Sequence, residues 1–600
     1  MQQSRSQIVS AFCFLAALAF VCQEPRWEKE GPHSAISYDV SGYYWYLPSF
    51  LIYKDPAKQK FAPQIIEKYN PQPEFHQAYL HKNGNYIMKY SAGMALLYSP
   101  WFATGHLIAK IGGYPADGFS LPYDACLLIG SVLVALLGLF MLRSVLRQFY
   151  EDKIVAWVIA LVFFGTHYFL YATHDAAMPH SYLFTLQCFI LYCTIHWYRQ
   201  ASWRYSIGIG IGIGLVALAR PTELLMAFIP IFWAIHSKIS WGERRIIWQK
   251  NWQKLALAVF IVALIGSIQL VYWKIFAGTW LEYSYQDQGF SFLNPHILDF
   301  TFSYRKGWLI YTPLMAFTIW GFRYLYQQYP KIFWGIAIYC FLHYYIAASW
   351  DVWAYGGGFG QRTMIQAYPC FAFALAALLK HLQQQKWSWV IHLLLMCCVV
   401  LNLFQIWQTR QPYLFETENM NKTFFWKVFG KTKAEMEDQL LLDINHEFTG
   451  EPKNLLVAVN ESYEEAADTN MLSTRYARTG QYATFSSPEQ EFSVSSTVTA
   501  NAELEKKEWI RVSAWFYTPQ RTYSLWEYPH FYLKIFDEKD GVKYKHIKPF
   551  RIMKNNEWQA FSFEVPIQQF PWKKLQIGLW QAQNRSILYM DDLKVAFFDD

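Results

Sequence analysis

The chain has 600 residues, 54% of them hydrophobic and 16% charged, with a formal net charge of +7. This composition argues against an ordinary soluble multidomain protein, and the basic residues fall in short loops between apolar runs, where membrane topology rather than nucleic acid calls for them. All nine cysteines (Cys13, Cys22, Cys126, Cys188, Cys193, Cys340, Cys370, Cys397 and Cys398) lie in apolar segments without a CxxC pair, which speaks against a disulfide framework or a zinc site.

In chain order, apolar runs occur at residues 8–22, 122–142, 154–172, 179–197, 205–219, 223–237, 254–276, 308–325, 332–348, 364–379 and 387–406. In hydrocarbon every backbone polar group must be satisfied within the segment, so these runs predict a polytopic α-helical membrane protein of about eleven transmembrane helices. The first run is read as a retained helix because Phe20-Val21-Cys22 lacks a small-residue cleavage site. With a cytoplasmic N-terminus, Arg143, Arg147, Lys153, Arg199, Arg204, Lys238, Arg244, Arg245, Lys250, Arg323, Lys331, Lys380 and Lys386 fall inside, as the positive-inside rule requires. An odd number of crossings then leaves the C-terminal end outside. The division expected is a membrane domain over 1–406 with an external loop at 23–121, a linker at 407–439, and an extracytoplasmic domain at 440–600.

Within the first loop, the apolar stretch from Tyr86 to Ile111 is broken by Gly93, Pro100 and Gly105, so it predicts helices lying in the interface. Beyond residue 440, alternating segments at Trp509–Tyr517, His530–Phe536, Trp558–Val565 and Lys574–Trp580 predict strands of a β-sandwich. The closing stretch from Ser586 to Phe598 resembles the last strand pair of jelly-roll carbohydrate-binding modules, with an acidic turn before the final strand. Sugar binding and a plain spacer role both remain open for this domain, since fold does not imply function.

The residues with chemistry gather at the outer helix ends. Asp39 lies in Ser37-Tyr38-Asp39-Val40-Ser41-Gly42-Tyr43-Tyr44, a lone carboxylate among aromatics whose pKa burial would raise toward a value useful for proton transfer. Other outer turns hold His174-Asp175 with His180, Arg220-Pro221-Thr222-Glu223, and Ser303-Tyr304-Arg305-Lys306-Gly307. A last one runs Trp350-Asp351-Val352-Trp353-Ala354-Tyr355-Gly356-Gly357-Gly358-Phe359-Gly360-Gln361-Arg362. Those glycines permit close backbone approach to a ligand, but GxxxxGK[ST] is absent, so this is no nucleotide P-loop. Arg220 with Glu223 reads as an ion pair bracing two helices. His174, His180 and Asp175 have metal-binding chemistry, but their origin in a helix-bounding turn favours metal independence and no cofactor.

An early external acid, a long first loop, many spans and a late tryptophan-, glycine- and arginine-bearing loop together resemble the GT-C class of glycosyltransferases. The similarity is greatest to bacterial relatives of dolichyl-phosphate-mannose protein mannosyltransferases and to the aminoarabinose transferase of lipid A. It covers roughly residues 1–406, and Lys89-Tyr-Ser-Ala-Gly-Met-Ala-Leu-Leu-Tyr-Ser-Pro-Trp-Phe102 is similar to the YPxGxxxLxxPF stretch of those relatives. The resemblance implies sugar transfer from a polyprenyl-phosphate donor to a glycan, lipid or protein acceptor on the extracytoplasmic face of the plasma (inner) membrane. It implies Asp39 as general base, with Asp175 as a second catalytic acid. Arg362, Arg305 and Lys306 would bind the donor phosphate, and His174, Tyr43, Trp350, Asp351 and Gln361 would line the substrate site. Val40 follows Asp39 where many protein mannosyltransferases carry Glu, which puts a protein acceptor in doubt. The rival readings are a secondary transporter, against which no internal repeat is visible, and an assembly factor whose external sandwich binds glycan or protein.

The charge pattern makes one expectation directly testable. Protease added outside right-side-out membranes should release the domain after residue 440 and spare the loop around Arg244; cleavage at Arg244 would invert the topology.

Overall fold

The computed structural model describes residues 4–72, 75–286, 288–444, 446, 448, 450–465, 469–521, 528–538, 541–581 and 586–600. The chain divides into two compact units, Met1–Trp407 and Gln408–Asp600.

The first unit is helical. All eleven apolar runs form helix, but among the described residues six helices are long and apolar enough to cross a membrane: Arg5–Glu28, Leu121–Leu146, Trp252–Phe276, Pro330–Ser349, Arg362–Leu382 and Ser388–Gln408. Two apolar helices are shorter, Trp203–Ala219 and Pro221–Phe232. The difference from eleven has local causes. The run at 154–172 is interrupted by Gly165-Thr166-His167 between Asp152–Phe164 and Tyr168–Tyr171. Pro313, which cannot donate a backbone hydrogen bond, splits the run at 308–325. The Pro179–Arg199 helix is continuous but carries His180, Gln187 and His196. Burial ranks the six: 94% of the apolar stretch of Arg362–Leu382 is enclosed, against 17% for Trp252–Phe276, so the former is the bundle's central helix.

The stretch expected to form broken interfacial helices is different. Tyr86–Met88 is a strand (β2) paired antiparallel with Ala78–Leu80 (β1), and Gly93–Gly112 is one unbroken helix running through Pro100 and Gly105. Its glycines mark close approach rather than breaks. A Cβ on Gly93 would lie 2.2 Å from the backbone nitrogen of Ala219, and one on Gly105 would lie 2.9 Å from Cα of Tyr123. The first contact fixes the end of the Trp203–Ala219 helix, and hence the position of Arg220.

The second unit begins with the short Lys422–Val428 helix and the turn Glu437–Leu442, followed by two antiparallel sheets. Its strands are β3 (Lys453–Glu461), β4 (Leu472–Ser473), β5 (Ala483–Ser486), β6 (Ser496–Thr499), β7 (Trp509–Tyr517), β8 (His530–Phe536), β9 (Val542–Ile547), β10 (Gln559–Pro566), β11 (Lys574–Trp580) and β12 (Leu588–Asp599). One sheet has the order β10-β7-β12-β5-β4 with β3 also on β12, and the other β6-β11-β8-β9. Alternation makes the core: Ile510, Val512, Ala514 and Phe516 of β7 lie in one buried cluster with Phe531, Leu533 and Ile535 of β8 and Leu575, Ile577 and Leu579 of β11. Fully burying each large side chain stabilises by roughly 1.5–3 kcal/mol. The expected closing strand pair is instead the single strand β12. Its acidic residues sit in a register shift between Asp591 and Lys594, where Asp592 adopts φ 50°. Asp591 accepts the amide N–H groups of Arg478 (2.8 Å) and Thr479 (3.0 Å), so the carboxylate holds a neighbouring loop instead of turning the chain.

Gly93→Ala should destabilise the protein by about 1–3 kcal/mol, because the clash is with backbone that cannot rotate away. Gly242→Ala, in a helix where a Cβ meets nothing within 4 Å, should stabilise by up to about 1 kcal/mol. Thermal unfolding in detergent checks both, and equal melting temperatures would refute the packing of Gly93.

Candidate functional site

Asp39 lies in the first turn of the short Tyr38–Tyr44 helix. Tyr38, immediately before it, has φ 44°, a left-handed conformation that costs a bulky residue on the order of 1–3 kcal/mol and persists only where the surroundings enforce it. One turn on, a Cβ at Gly42 would fall 2.4 Å from the ring of Tyr90, so the bare backbone is what lets that ring lie against the helix. Tyr90 then sits 4.3 Å from Tyr43, ring centre to ring centre, and its hydroxyl donates to Asp39 Oδ1 at 2.7 Å. The other carboxylate oxygen accepts Arg362 Nη2 at 2.7 Å, joining residues 323 positions apart.

Each partner is held from behind. The segment carrying Tyr90 is fixed to the Trp252–Phe276 helix, with Met88 N–H donating to the Tyr272 hydroxyl and Ala92 N–H to Gln269 Oε1, both at 2.9 Å. Arg362 follows a loop with left-handed backbone at Tyr355, Gly356, Gly358 and Gly360. Lys306 Nζ donates to the Gly358 carbonyl. Gln361 donates to the Trp353 carbonyl (3.0 Å) and accepts His167 Nε2 on its own carbonyl (2.9 Å).

Beside the ion pair, Arg220 lies 6.0 Å from the ring centre of Tyr355 and in electrostatic reach of Tyr43 and Tyr285. Tyr43 and Tyr355 also feel Arg362, so both guanidiniums act on the same two tyrosines. Lys89 Nζ stands 5.9 Å from the Tyr90 ring centre, near enough to act on Asp39. Deeper in the bundle, Glu223 accepts Gln366 Nε2 at 2.9 Å and lies 3.6 Å from His343 Nδ1, while Gln366 Oε1 meets His180 Nδ1 at 3.0 Å. Arg220 and Glu223 are therefore not the paired brace their spacing suggested: no ion pair joins them within 4.0 Å, because Glu223 faces the Pro330–Ser349 helix and Gln366 instead.

The expected rise in the Asp39 pKa is reversed. Burial pushes the carboxyl up, but the charge of Arg362, the hydrogen bonds from Tyr90 and Arg362, and the charge of Lys89 together hold it below its ordinary value. Burial and the neighbouring Asp39 raise the Tyr90 phenol well above its usual range, so it stays a proton donor. The pair is nonetheless reachable, since Asp39 keeps 32% and Arg362 17% of its side-chain surface exposed.

The other residues singled out from the sequence divide between this site and its supports. Tyr43 belongs to the site. Asp175 accepts Arg26 Nη1 at 2.7 Å and meets His174 Nδ1 at 3.0 Å, tying the 173–178 turn to the start of the 23–121 segment. Asp351 accepts Gly289 N–H (2.8 Å) and Ser291 Oγ (2.7 Å), while Trp350 packs edge-on to Tyr285 and Phe290, so both clamp residues 277–307 to the glycine-rich loop. Arg305 is half-buried, its backbone N–H donating to Ser303 Oγ at 3.1 Å. Among the described residues, no group of three or more His, Cys, Asp or Glu side chains is placed to hold a metal ion. Sequence reasoning passed over Tyr90, Lys89, Gln366 and His343. Lys89 and Tyr90 open the very stretch that carried the family resemblance, where they were read only as motif.

No known protein family matches the chain, and no curated protein does. Among solved structures, the arabinosyltransferase EmbB from Mycobacterium smegmatis is similar over 83% of this chain and 59% of its own length, at 10% identity and a TM-score of 0.31. The CBM22-1 xylan-binding domain of Paenibacillus barcinonensis Xyn10C is similar over 25% of this chain and 98% of its own length, at 11% identity and a TM-score of 0.19. Likenesses this low assign no function, which must be argued from the chain's own residues.

A depressed carboxylate pKa sets the sign of the pH dependence. The Asp39–Arg362 pair contributes stability that is full above the unfolded pKa, about 3.9, and is lost as pH falls through the lower folded value. The melting difference between wild type and Asp39→Asn should therefore stay flat from pH 7 to about 5 and shrink only below about 4. For a pair this exposed it should be about 1 kcal/mol or less. A difference that disappears near pH 6 would mean that burial, and not Arg362, governs Asp39.

Proposed function

We propose that this chain is a membrane glycosyltransferase that moves a sugar from a polyprenyl-phosphate carrier to an acceptor hydroxyl on the extracytoplasmic face. The observation that carries the reading is the Asp39–Arg362 ion pair, partly exposed and flanked by Tyr90 and Tyr43. Such a donor already holds its leaving group, so the protein must supply a base for the acceptor and positive charge for the departing phosphate.

In this reading Asp39 accepts the acceptor's proton. Its oxygen O–H bond breaks as the new bond to the sugar's anomeric carbon forms, and the carbon–oxygen bond to phosphate breaks with its electron pair staying on the phosphate. Because its pKa is low, Asp39 is ionised throughout the neutral range but is a weak base. Its contribution is then greatest late in bond formation, when the acceptor oxygen has become acidic. Arg362 spends one N–H on Asp39 and has four others in its planar fork, enough to hold a phosphate as well. One guanidinium would thereby set the distance between base and leaving group. Lys306 would keep the glycine-rich loop in shape through the Gly358 carbonyl, and glycan would be a natural partner of the C-terminal sandwich.

The test is turnover of purified protein with a panel of polyprenyl-phosphate sugars. Asp39→Asn should fold, bind donor and lose roughly 10²- to 10⁴-fold in turnover. Arg362→Lys keeps the charge but loses the fork, and should weaken donor use about ten- to a hundredfold. If both variants match wild type, the ion pair is structural and the catalytic assignment fails.

A further inference from the structure

We propose that the helix Lys238–Lys250 is a docking surface for the headgroups of anionic phospholipids, on the membrane face opposite the Asp39–Arg362 pair. This surface owes nothing to the transferase reading and stands if that reading falls.

Its placement follows from the helices it touches. The Trp203–Ala219 helix rises about 25 Å over its 17 residues, and Arg220, which lies beside the ion pair, follows its C-terminal end. Lys238–Lys250 is tied to the other end. Trp248 Nε1 donates to the Tyr198 hydroxyl at 3.2 Å, and Lys254 Nζ, just beyond the helix, donates to the Ala201 carbonyl at 3.0 Å. Arg244 is the buried anchor: its guanidinium lies 3.7 Å from the Tyr198 ring centre, and its Nη2 donates to the Trp233 carbonyl. Ser237 caps the first turn, its Oγ accepting Ser240 N–H at 3.1 Å. The bundle therefore holds one side of this helix and fixes what the other side presents.

That other side joins groups that water and hydrocarbon each reject. Ile239 and Ile246, two turns apart and so on one face, are 77% and 65% exposed, and Trp252, which opens the next helix, is 63% exposed. Around them the charge is one-sided: residues 196–206 and 236–254 hold seven arginines and lysines against one acid, Glu243. Glu243 acts on the neighbouring Arg244 by its charge, which leaves the exposed Lys238, Arg245 and Lys250 with no acid of their own on the helix. A bilayer interface accepts both kinds of group, the isoleucines entering at the acyl boundary while the basic side chains extend to the phosphates. Continuity makes the partner a lipid and not a soluble anion. The span least enclosed by the bundle, Trp252–Phe276 at 17%, begins two residues after this helix ends. Charge sets the class of lipid. A zwitterionic headgroup answers its own phosphate, whereas an anionic one leaves that charge to Lys238, Arg245 and Lys250, each basic residue near such a surface strengthening binding roughly fivefold.

The test places the full chain in phosphatidylcholine nanodiscs doped with photoactivatable phosphatidylglycerol or, in a parallel set, with phosphatidylcholine bearing the same photoactivatable chain, and maps the crosslinks by peptide mass spectrometry. In wild type, residues 238–252 should take up phosphatidylglycerol about tenfold or more over phosphatidylcholine. The triple variant Lys238→Gln, Arg245→Gln, Lys250→Gln should lose that preference, its phosphatidylglycerol label falling about tenfold to the phosphatidylcholine level. All three side chains are exposed, so its melting temperature should match wild type. Ile239→Gln with Ile246→Gln should lower both labels together, since it removes the apolar entry and keeps the charge. A further measurement needs no variant: the preference should shrink as the Debye length falls from about 30 Å at 0.01 M salt to about 8 Å at 0.15 M. Equal labelling by the two lipids in wild type, a preference indifferent to salt, or full preference in the folded triple variant each overturns the proposal. Labels untouched by the isoleucine substitutions would place the helix off the membrane and sink it as well. Inorganic phosphate that displaces the label where chloride of equal ionic strength does not would mark a free-anion site and overturn the lipid assignment.

Discussion

A carboxylate at residue 39 sits among tyrosines where water cannot fully solvate it, and the guanidinium of Arg362 is what keeps it ionised. Each charge offsets the other in this partly exposed setting, and the fold delivers both to the same point from 323 residues apart. Much of the local architecture is legible as a consequence. Arg362 begins the most enclosed helix of the bundle, so its main chain cannot drift. Asp39 lies in the first turn of a short helix whose opening residue, Tyr38, is held in left-handed backbone.

Delivery depends on glycines at contacts, not on glycines as hinges. Gly42 allows the Tyr90 ring to reach Asp39, and Gly93 allows the next helix to touch the end of the one carrying Arg220. The two contacts lie at either end of the stretch from Tyr90 to Gly93, which is itself anchored on both sides through Tyr272 and Gln269. A side chain at either glycine would move a charged group of the site without touching it. Packing and electrostatics are therefore coupled through backbone position, which is why helices that show no chemistry of their own still matter to the site.

The amphipathic signals were the readable part of the sequence. Strict alternation gave Trp509–Tyr517, His530–Phe536 and Lys574–Trp580 their strand limits, because one face of each is core and the other is not. Each apolar run coincides with helix, but hydrophobicity does not report a Pro313 or a Gly165 that divides a run. Asp39 and Arg362 each stood out singly, one as a lone acid and the other as a cation in a glycine-rich loop. Their pairing did not, because nothing in a sequence measures a distance across 323 positions, and so burial was credited with a pKa effect that the missing partner reverses. The acidic pair near the C-terminus looked like a turn for the same reason: a register shift inside one long strand and a turn between two use the same residues.

A buried polar network lies under the ion pair and orients it. Glu223, Gln366, His180 and His343 are all buried, and each hydrogen bond fixes the orientation of the next, from His180 to Gln366 to Glu223, with His343 anchored on the Thr363 carbonyl. Thr363 follows Arg362 directly, so this chain of contacts positions the ion pair from below. Glu223 also lies in electrostatic reach of Arg220 and favours its charged form. Glu223, shared between Gln366 and His343, thus braces the helix start that carries Arg362 and reaches Arg220 by its charge alone.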